Sequence, residues 1–85
     1  MDKLDIVKAL ADSNRLLIIE ELKTGEKCAC ELLEKLDCNQ STLSHHMKQL
    51  CEANIVEARK DGKWIYYKLK MNTIEEFKAY VCSLS

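Results

Sequence analysis

Two glycines and no proline punctuate the 85 residues of this chain, so the backbone has few places to turn and most of it must be regular structure. Gly25 and Gly62 mark the two turns. Ahead of Gly25 lie two helical patterns. Leu4, Val7 and Ala11 recur with Ile6 and Leu10 beside them, and Leu16 to Ile19 with Leu22 follow Ser13, a capping candidate. The second is apolar almost all round, which predicts a central position. Past Gly25, read as a helix stop, Ala29, Leu32, Leu33 and Leu36 fall at helical spacing and predict a short third helix. Residues 37–40 break the pattern, and Ser41 opens a fourth helix ending near Glu52. On its wheel Leu43, Met47 and Leu50 share one narrow arc toward the core, while Ser41, Ser44, His45, Lys48 and Glu52 face the other way. Two β-rich runs, 55–60 and 64–70, then flank Asp61-Gly62, a dipeptide suited to a tight hairpin. Residues 72–85 carry Ile74, Phe77, Val81 and Leu84 on one stripe, which needs a surface to pack against.

These patterns predict a single domain over 1–85, mainly α with a small β-hairpin (α+β): a winged helix-turn-helix of about five helices and a two-stranded antiparallel wing. The helix-turn-helix spans about 28–52 and the wing about 55–70. A 47% hydrophobic share is ordinary for a globular domain, and no apolar run approaches the roughly 18 residues of a membrane span. The N-terminus has neither the basic start nor the apolar stretch of a secretory signal, so a cytoplasmic protein is expected. Five cysteines in a chain this short raise the question of a disulfide scaffold. Their odd number and helix-forming surroundings favour reduced thiols.

The formal charge of -1 conceals an uneven distribution. Residues 1–38 carry six basic and nine acidic groups, 39–70 six and three, and 71–85 one and two. A net positive balance is thus confined to the segment predicted to form the polar helix and hairpin, and phosphate contacts act over only about a Debye length, ~8 to 10 Å. The major groove admits one α-helix, whose N-terminal residues reach base edges by hydrogen bonds. Gln40, Ser41, Thr42, Ser44, His45, Lys48 and Gln49 are the base-reading candidates. Arg59, Lys60 and Lys63 on the hairpin are candidates for phosphate or minor-groove contacts. His46 sits at the edge of the apolar arc and is expected to pack rather than read bases.

Leu16 to Leu22, Cys28-Ala29-Cys30-Glu31-Leu32, Ser41-Thr42-Leu43-Ser44-His45-His46-Met47, and Arg59-Lys60-Asp61-Gly62-Lys63 before Tyr67-Lys68-Leu69 together resemble the ArsR/SmtB family of metal-responsive repressors. The resemblance implies a homodimer built on the first and last helices, 2–11 and 72–84, which occupies operator DNA and leaves when a thiophilic ion binds. It implies no permanent cofactor, no membrane partner and an inducer ion: As(III) or Sb(III) ahead of Cd(II), Pb(II) or Zn(II). Arsenic-sensing members of that family carry C-x-C-x-x-C; here the third position is Leu33.

Cys28 and Cys30 are the candidate metal ligands, because thiolates favour soft ions and the helix start beside Lys27 is expected to lower thiol pKa. Residues i and i+2 of a regular helix point ~200° apart, so an ion shared by the two is expected to need an extended or unwound helix start, straining the helix-turn-helix. Cys38 lies ~12 Å beyond Cys30 if the helix is continuous, too far to join, and Cys51 borders the apolar arc. Cys82 is the candidate third ligand, from its own or a partner subunit. Two alternatives stand beside this reading: a redox or persulfide switch pairing Cys28 or Cys30 with Cys82, and a winged-helix protein-interaction module that does not bind DNA. An enzyme is not expected, since no C-x-x-C motif, glycine-rich phosphate loop or activated nucleophile is present.

Overall fold

Each of the first helices begins where a side chain can take up its free backbone N–H groups. In the computed structural model, which describes residues 2–85, α1 (Lys3–Leu10) is capped by Asp2, whose Oδ1 accepts from the amides of Leu4 and Asp5. The next helix, α2 (Ser13–Leu22), is capped by Asp12, whose Oδ1 lies 2.9 and 3.2 Å from the amides of Asn14 and Arg15. The cap is therefore Asp12, one residue before the predicted Ser13, which is already helical. Gly25, at φ +130°, turns the chain after α2.

The sequence then makes something its periodicity did not announce. Lys27–Cys28 is a two-residue strand, β1, running directly into α3 (Ala29–Lys35). After a break at 36–39, α4 (Gln40–Glu52) starts one residue earlier than expected, with Asn39 Oδ1 accepting from the Thr42 amide at 2.8 Å. Asn54, at φ 65°, turns the chain into β2 (Val56–Asp61), and Gly62, at φ 64°, closes the hairpin to β3 (Trp64–Leu69). The chain ends in α5 (Met71–Ser83). Lys70 donates through its amide to Ile55 O at 2.8 Å and through Nζ to Asn54 Oδ1, while Asn54 Nδ2 meets buried Thr73. These bonds tie the start of α5 to the base of the wing.

The five helices are as expected, but the wing is not an isolated pair of strands. β1 adds antiparallel to β3, giving a three-stranded sheet of order β1-β3-β2, with Lys27 opposite Tyr67 and Cys28 opposite Tyr66. The core is built from Ile18 and Leu22 of α2, Leu32 of α3, Met47 and Leu50 of α4, and Ile55 and Val56 entering β2, all essentially inaccessible. Leu43 joins them, as the α4 wheel predicted. Two stripes are divided. In α1 only Ile6 and Ala9 are buried, while Leu4 and Val7 stay exposed; in α2 Leu16 and Leu17 remain half exposed, so that helix is central but not covered all round. In α5 Ile74 and Phe77 pack against the core, and Val81 and Leu84 point into solvent.

Candidate nucleic-acid interface and thiol site

The apolar arc of α4 fixes how the rest of the helix is presented. With Leu43, Met47 and Leu50 buried, the helical repeat turns Gln40, Ser41, Ser44, His45 and Lys48 outward, and all five are exposed. Thr42 and Gln49 sit at the margins and are half buried. His46 is 7% exposed, and its Nδ1 lies 3.3 Å from Arg15 Nη1 and 4.0 Å from Asp12 Oδ1. It is a packing residue, held by the start of α2, as the wheel indicated. Arg15 also donates to the carbonyls of Ala9 and Lys8, so one guanidinium joins the end of α1 to α2 and α4. The hydrogen bond that the Arg15 backbone N–H donates to the Asp12 carboxylate, with the nearby His46 and Arg15 side chains, holds the Asp12 pKa below its ordinary value.

The hairpin presents its cations unequally. Lys60 is exposed opposite Ile65, and Lys63 lies with its Nζ 5.3 Å from the Trp64 ring centroid. Arg59, by contrast, is already engaged. Its Nη2 and Nε meet the two Glu26 carboxylate oxygens at 2.8 and 3.3 Å, and its guanidinium stacks 4.6 Å from the Tyr66 ring centroid. The Arg59 guanidinium lowers the Glu26 pKa, and the carboxylate in turn raises that of Arg59. Glu26 and Tyr66 were absent from the sequence-derived site. No local signal marks Glu26, which lies 33 residues from Arg59 and comes beside it only because β1 pairs with β3.

The same pairing places the thiols. Cys28 is buried at the end of β1 with an extended backbone, φ -71° and ψ 149°, and Cys30 is exposed in the first turn of α3. Because one residue is strand-like and the other helical, their side chains converge, and Cys30 Sγ donates to Cys28 Sγ at 3.0 Å. The extended start expected for ion sharing is thus present at rest, and the predicted strain on the helix-turn-helix is not required. Glu31 Oε1 accepts from the Cys28 amide at 3.0 Å and fixes the turn. The expectation of a depressed thiol pKa is corrected at Cys30: chiefly the hydrogen bond to Cys28 pushes it up. Lys27, invoked to lower it, instead donates to Thr24 Oγ1 at 2.9 Å.

A cleft of about 290 Å³ opens beside the thiols, walled by Leu33, Leu43, Trp64 and Ile65 and rimmed by Ser44 and Lys63. It joins the thiol pair, the outward face of α4 and the wing in one surface. Within one chain Cys82, exposed on α5, does not join the pair; among the described residues no three Cys, His, Asp or Glu side chains cluster to hold a metal. Cys38 and Cys51 are half buried against the core, and burial raises the Cys51 pKa. Among the described residues no helix is long and apolar enough to cross a membrane.

Known proteins share this layout. The family model described as "Bacterial regulatory protein, arsR family" matches residues 12–58, from the α2 cap into the wing. The arsenical resistance operon repressor of Staphylococcus aureus is 46% identical over 71 residues, covering 84% of this chain and 68% of the relative. The cadmium resistance transcriptional regulatory protein CadC of Listeria innocua is 39% identical over 64 residues, covering 74% of this chain and 54% of the relative. Among solved structures, a possible transcriptional regulator for arsenical resistance superposes with a TM-score of 0.83 at 28% identity, over 99% of this chain and 84% of that one. These relatives are regulators of transcription rather than enzymes, and both the matched segment and the superposed fold include the outward-facing α4. The chain therefore belongs to the arsR family of bacterial transcription regulators.

Proposed function

We propose that this protein is a homodimeric repressor that binds operator DNA through α4 and the wing and is released when a thiophilic ion binds at Cys28 and Cys30. The observation that carries the reading is the outward alignment of Ser41, Ser44, His45 and Lys48 on a helix whose opposite face is buried. Gln40, Thr42 and Gln49 extend that face along α4, and Lys60, Lys63 and Arg59 supply cations beside it. Arg59 is already paired with Glu26 through Nε and Nη2, so Lys60 and Lys63 are the readier contacts.

Coupling follows from chain continuity. Cys28 ends β1, which pairs with wing strand β3, and begins the turn into α3, the first helix of the helix-turn-helix. An ion held by the two sulfurs thus acts on the wing through β1 and on the helix-turn-helix through α3 at once. As(III) and Sb(III) suit the pair best, since each takes three soft ligands and two are already converged; Cys82 is then the candidate third ligand across the dimer. Cd(II), also drawn to thiolate, is represented by the resemblance to CadC; it and Pb(II) or Zn(II) would call for further ligands. The dimer would form on α1 and α5, where Leu4, Val7, Val81 and Leu84 are exposed and Lys3 Nζ approaches the Tyr80 ring at 4.8 Å.

The test is release from DNA containing the protein's own promoter during titration with As(III), Sb(III), Cd(II), Pb(II) and Zn(II), for wild type and for Cys28→Ser, Cys30→Ser and Cys82→Ser. Salt-sensitive binding and ion-driven release that both Cys28→Ser and Cys30→Ser abolish are expected. Normal release in both variants would remove the sensor assignment, and absence of salt-dependent DNA binding would favour a protein-interaction module.

A further inference from the structure

We propose that Arg15 and His46 are a positioning pair for DNA recognition: the guanidinium that holds the end of α1 also fixes the rotation of α4, and with it the sequence that helix prefers. The inference rests on reading α4 as the DNA-contacting helix and adds to it two residues that touch no base.

A polar ring stands where the fold calls for an apolar side chain. His46 is 7% exposed and is buried on α4 together with Leu43, Met47 and Leu50. Burying an imidazole costs free energy unless its nitrogens find partners, so packing alone favours leucine at this position. The partner is Arg15, whose Nη1 lies 3.3 Å from His46 Nδ1. A guanidinium has donors only, so Nδ1 accepts. The same guanidinium donates through Nε to Ala9 O and through Nη2 to Lys8 O at 3.4 Å. Both carbonyls belong to the last turn of α1, where the helix dipole also favours a cation. Arg15 is itself held at the start of α2, its amide bonded to Asp12 Oδ1 at 3.2 Å. Three helices thus meet on one side chain, and of its three partners only His46 belongs to α4.

Position along the helix gives the pair its effect. Thr42 and Gln49 neighbour His46 on the helical surface at i−4 and i+3, and both are half buried at the margin of the outward face. Apolar contacts resist separation but are not directional, whereas a hydrogen bond is. A roll of ~15° moves an atom ~6 Å from the helix axis by roughly 1.5 Å, about three times the ~0.5 Å spread of good hydrogen-bond lengths. Base contacts from Gln40, Ser41, Ser44 and His45 do not survive such a roll, while phosphate contacts from Lys60 and Lys63 on the wing do. The pair therefore acts on sequence preference and not on DNA affinity in general. Because α1 also carries the exposed Leu4 and Val7 of the proposed association face, the same guanidinium ties the seating of a second copy to the rotation of α4.

Fluorescence anisotropy of the full chain on a duplex containing its own promoter, and on a scrambled duplex of equal length, measures the operator preference. Wild type, His46→Leu and His46→Asn are compared. Leucine fills the space without an acceptor, and asparagine carries Oδ1 where histidine has Nδ1. His46→Leu is expected to lose about tenfold in preference, the worth of one good base contact, with binding to the scrambled duplex unchanged. His46→Asn is expected to recover most of that loss. Circular dichroism and sedimentation velocity matching wild type show that each variant is folded and equally associated. A packing role alone leaves His46→Leu neutral in every assay. Arg15→Met is expected to lower the preference in the same way and to add nothing to His46→Leu in the double variant, since both remove one bond. If either single variant does not fold, the other decides. An unchanged preference in a folded single variant, no recovery in His46→Asn, or additive losses in the double variant would overturn the proposal and leave the repressor reading standing. A wild type without preference for its promoter would overturn both.

Discussion

Glu26 and Arg59 illustrate how a single pair can set the charge a wing offers to DNA. The guanidinium is held on two oxygens and stacked on Tyr66, so a cation expected to meet phosphate is neutralised by its own fold. Glu26→Gln removes the competing charge and leaves the geometry intact. It is expected to raise operator affinity severalfold at low salt and to steepen the log–log salt dependence by about 0.9, the mark of one more phosphate contact; a filter-binding series at several salt concentrations checks it. Asp12 makes a separate prediction. Its carboxylate caps α2 through two amides and its pKa is lowered, so the folded state holds it ionised more strongly than the unfolded chain does. Its contribution is complete above the ordinary carboxylate pKa of 3.8 and fades as pH falls through the lower folded value. Asp12→Ala should cost about 1 kcal/mol in urea denaturation at pH 7. Asp12→Asn keeps a capping oxygen, so it should lose less at pH 7 and lack this part of the acid dependence. Neither role was legible in the sequence beyond residue type: Ser13 was read as the cap where Asp12 serves, and the partner of Arg59, Glu26, lies 33 residues away just before β1.

At the scale of elements, α4 and the hairpin were legible because their signals are local. Three apolar side chains at helical spacing determine which face of α4 is buried, and Asp61-Gly62 announces a turn that Gly62 makes at φ 64°. Gly62→Ala would meet no atom within 4 Å, so its cost is conformational alone. It is expected to lower stability by about 1 kcal/mol, measurable by thermal melting, and Gly62→Asn should be milder because asparagine tolerates left-handed backbone. β1 was not legible. Two residues carry no periodicity, and Lys27–Cys28 becomes a strand only by pairing with Tyr66 and Tyr67, on a segment that reads as half of a hairpin. Missing that strand meant that the extended start was expected only as a strain imposed by the ion: in a regular helix the thiols diverge, whereas one strand residue followed by one helical residue brings them together at rest.

For the whole molecule the open question is what covers the apolar side chains that the chain's own core leaves out. Leu4 is 60% exposed, Val7 51%, Val81 47% and Leu84 69%, and the Lys3 to Tyr80 contact brings their two helices side by side. The divided stripes on α1 and α5 make sense if each helix has one face for its own chain, carrying Ile6 and Ala9 or Ile74 and Phe77, and another for a second copy. A charge on the outer face then separates folding from association. Val7→Glu combined with Val81→Glu is expected to leave helical circular dichroism and the thermal transition of the isolated chain nearly intact, because neither residue belongs to the buried core. In sedimentation velocity the same variant should run as a monomer at concentrations where wild type is dimeric. Its operator affinity should fall by roughly 100-fold or more, since a monomer can engage only one of two half-sites about 34 Å apart. A wild-type chain that sediments as a monomer and still binds its operator at full affinity would show that these side chains serve another purpose.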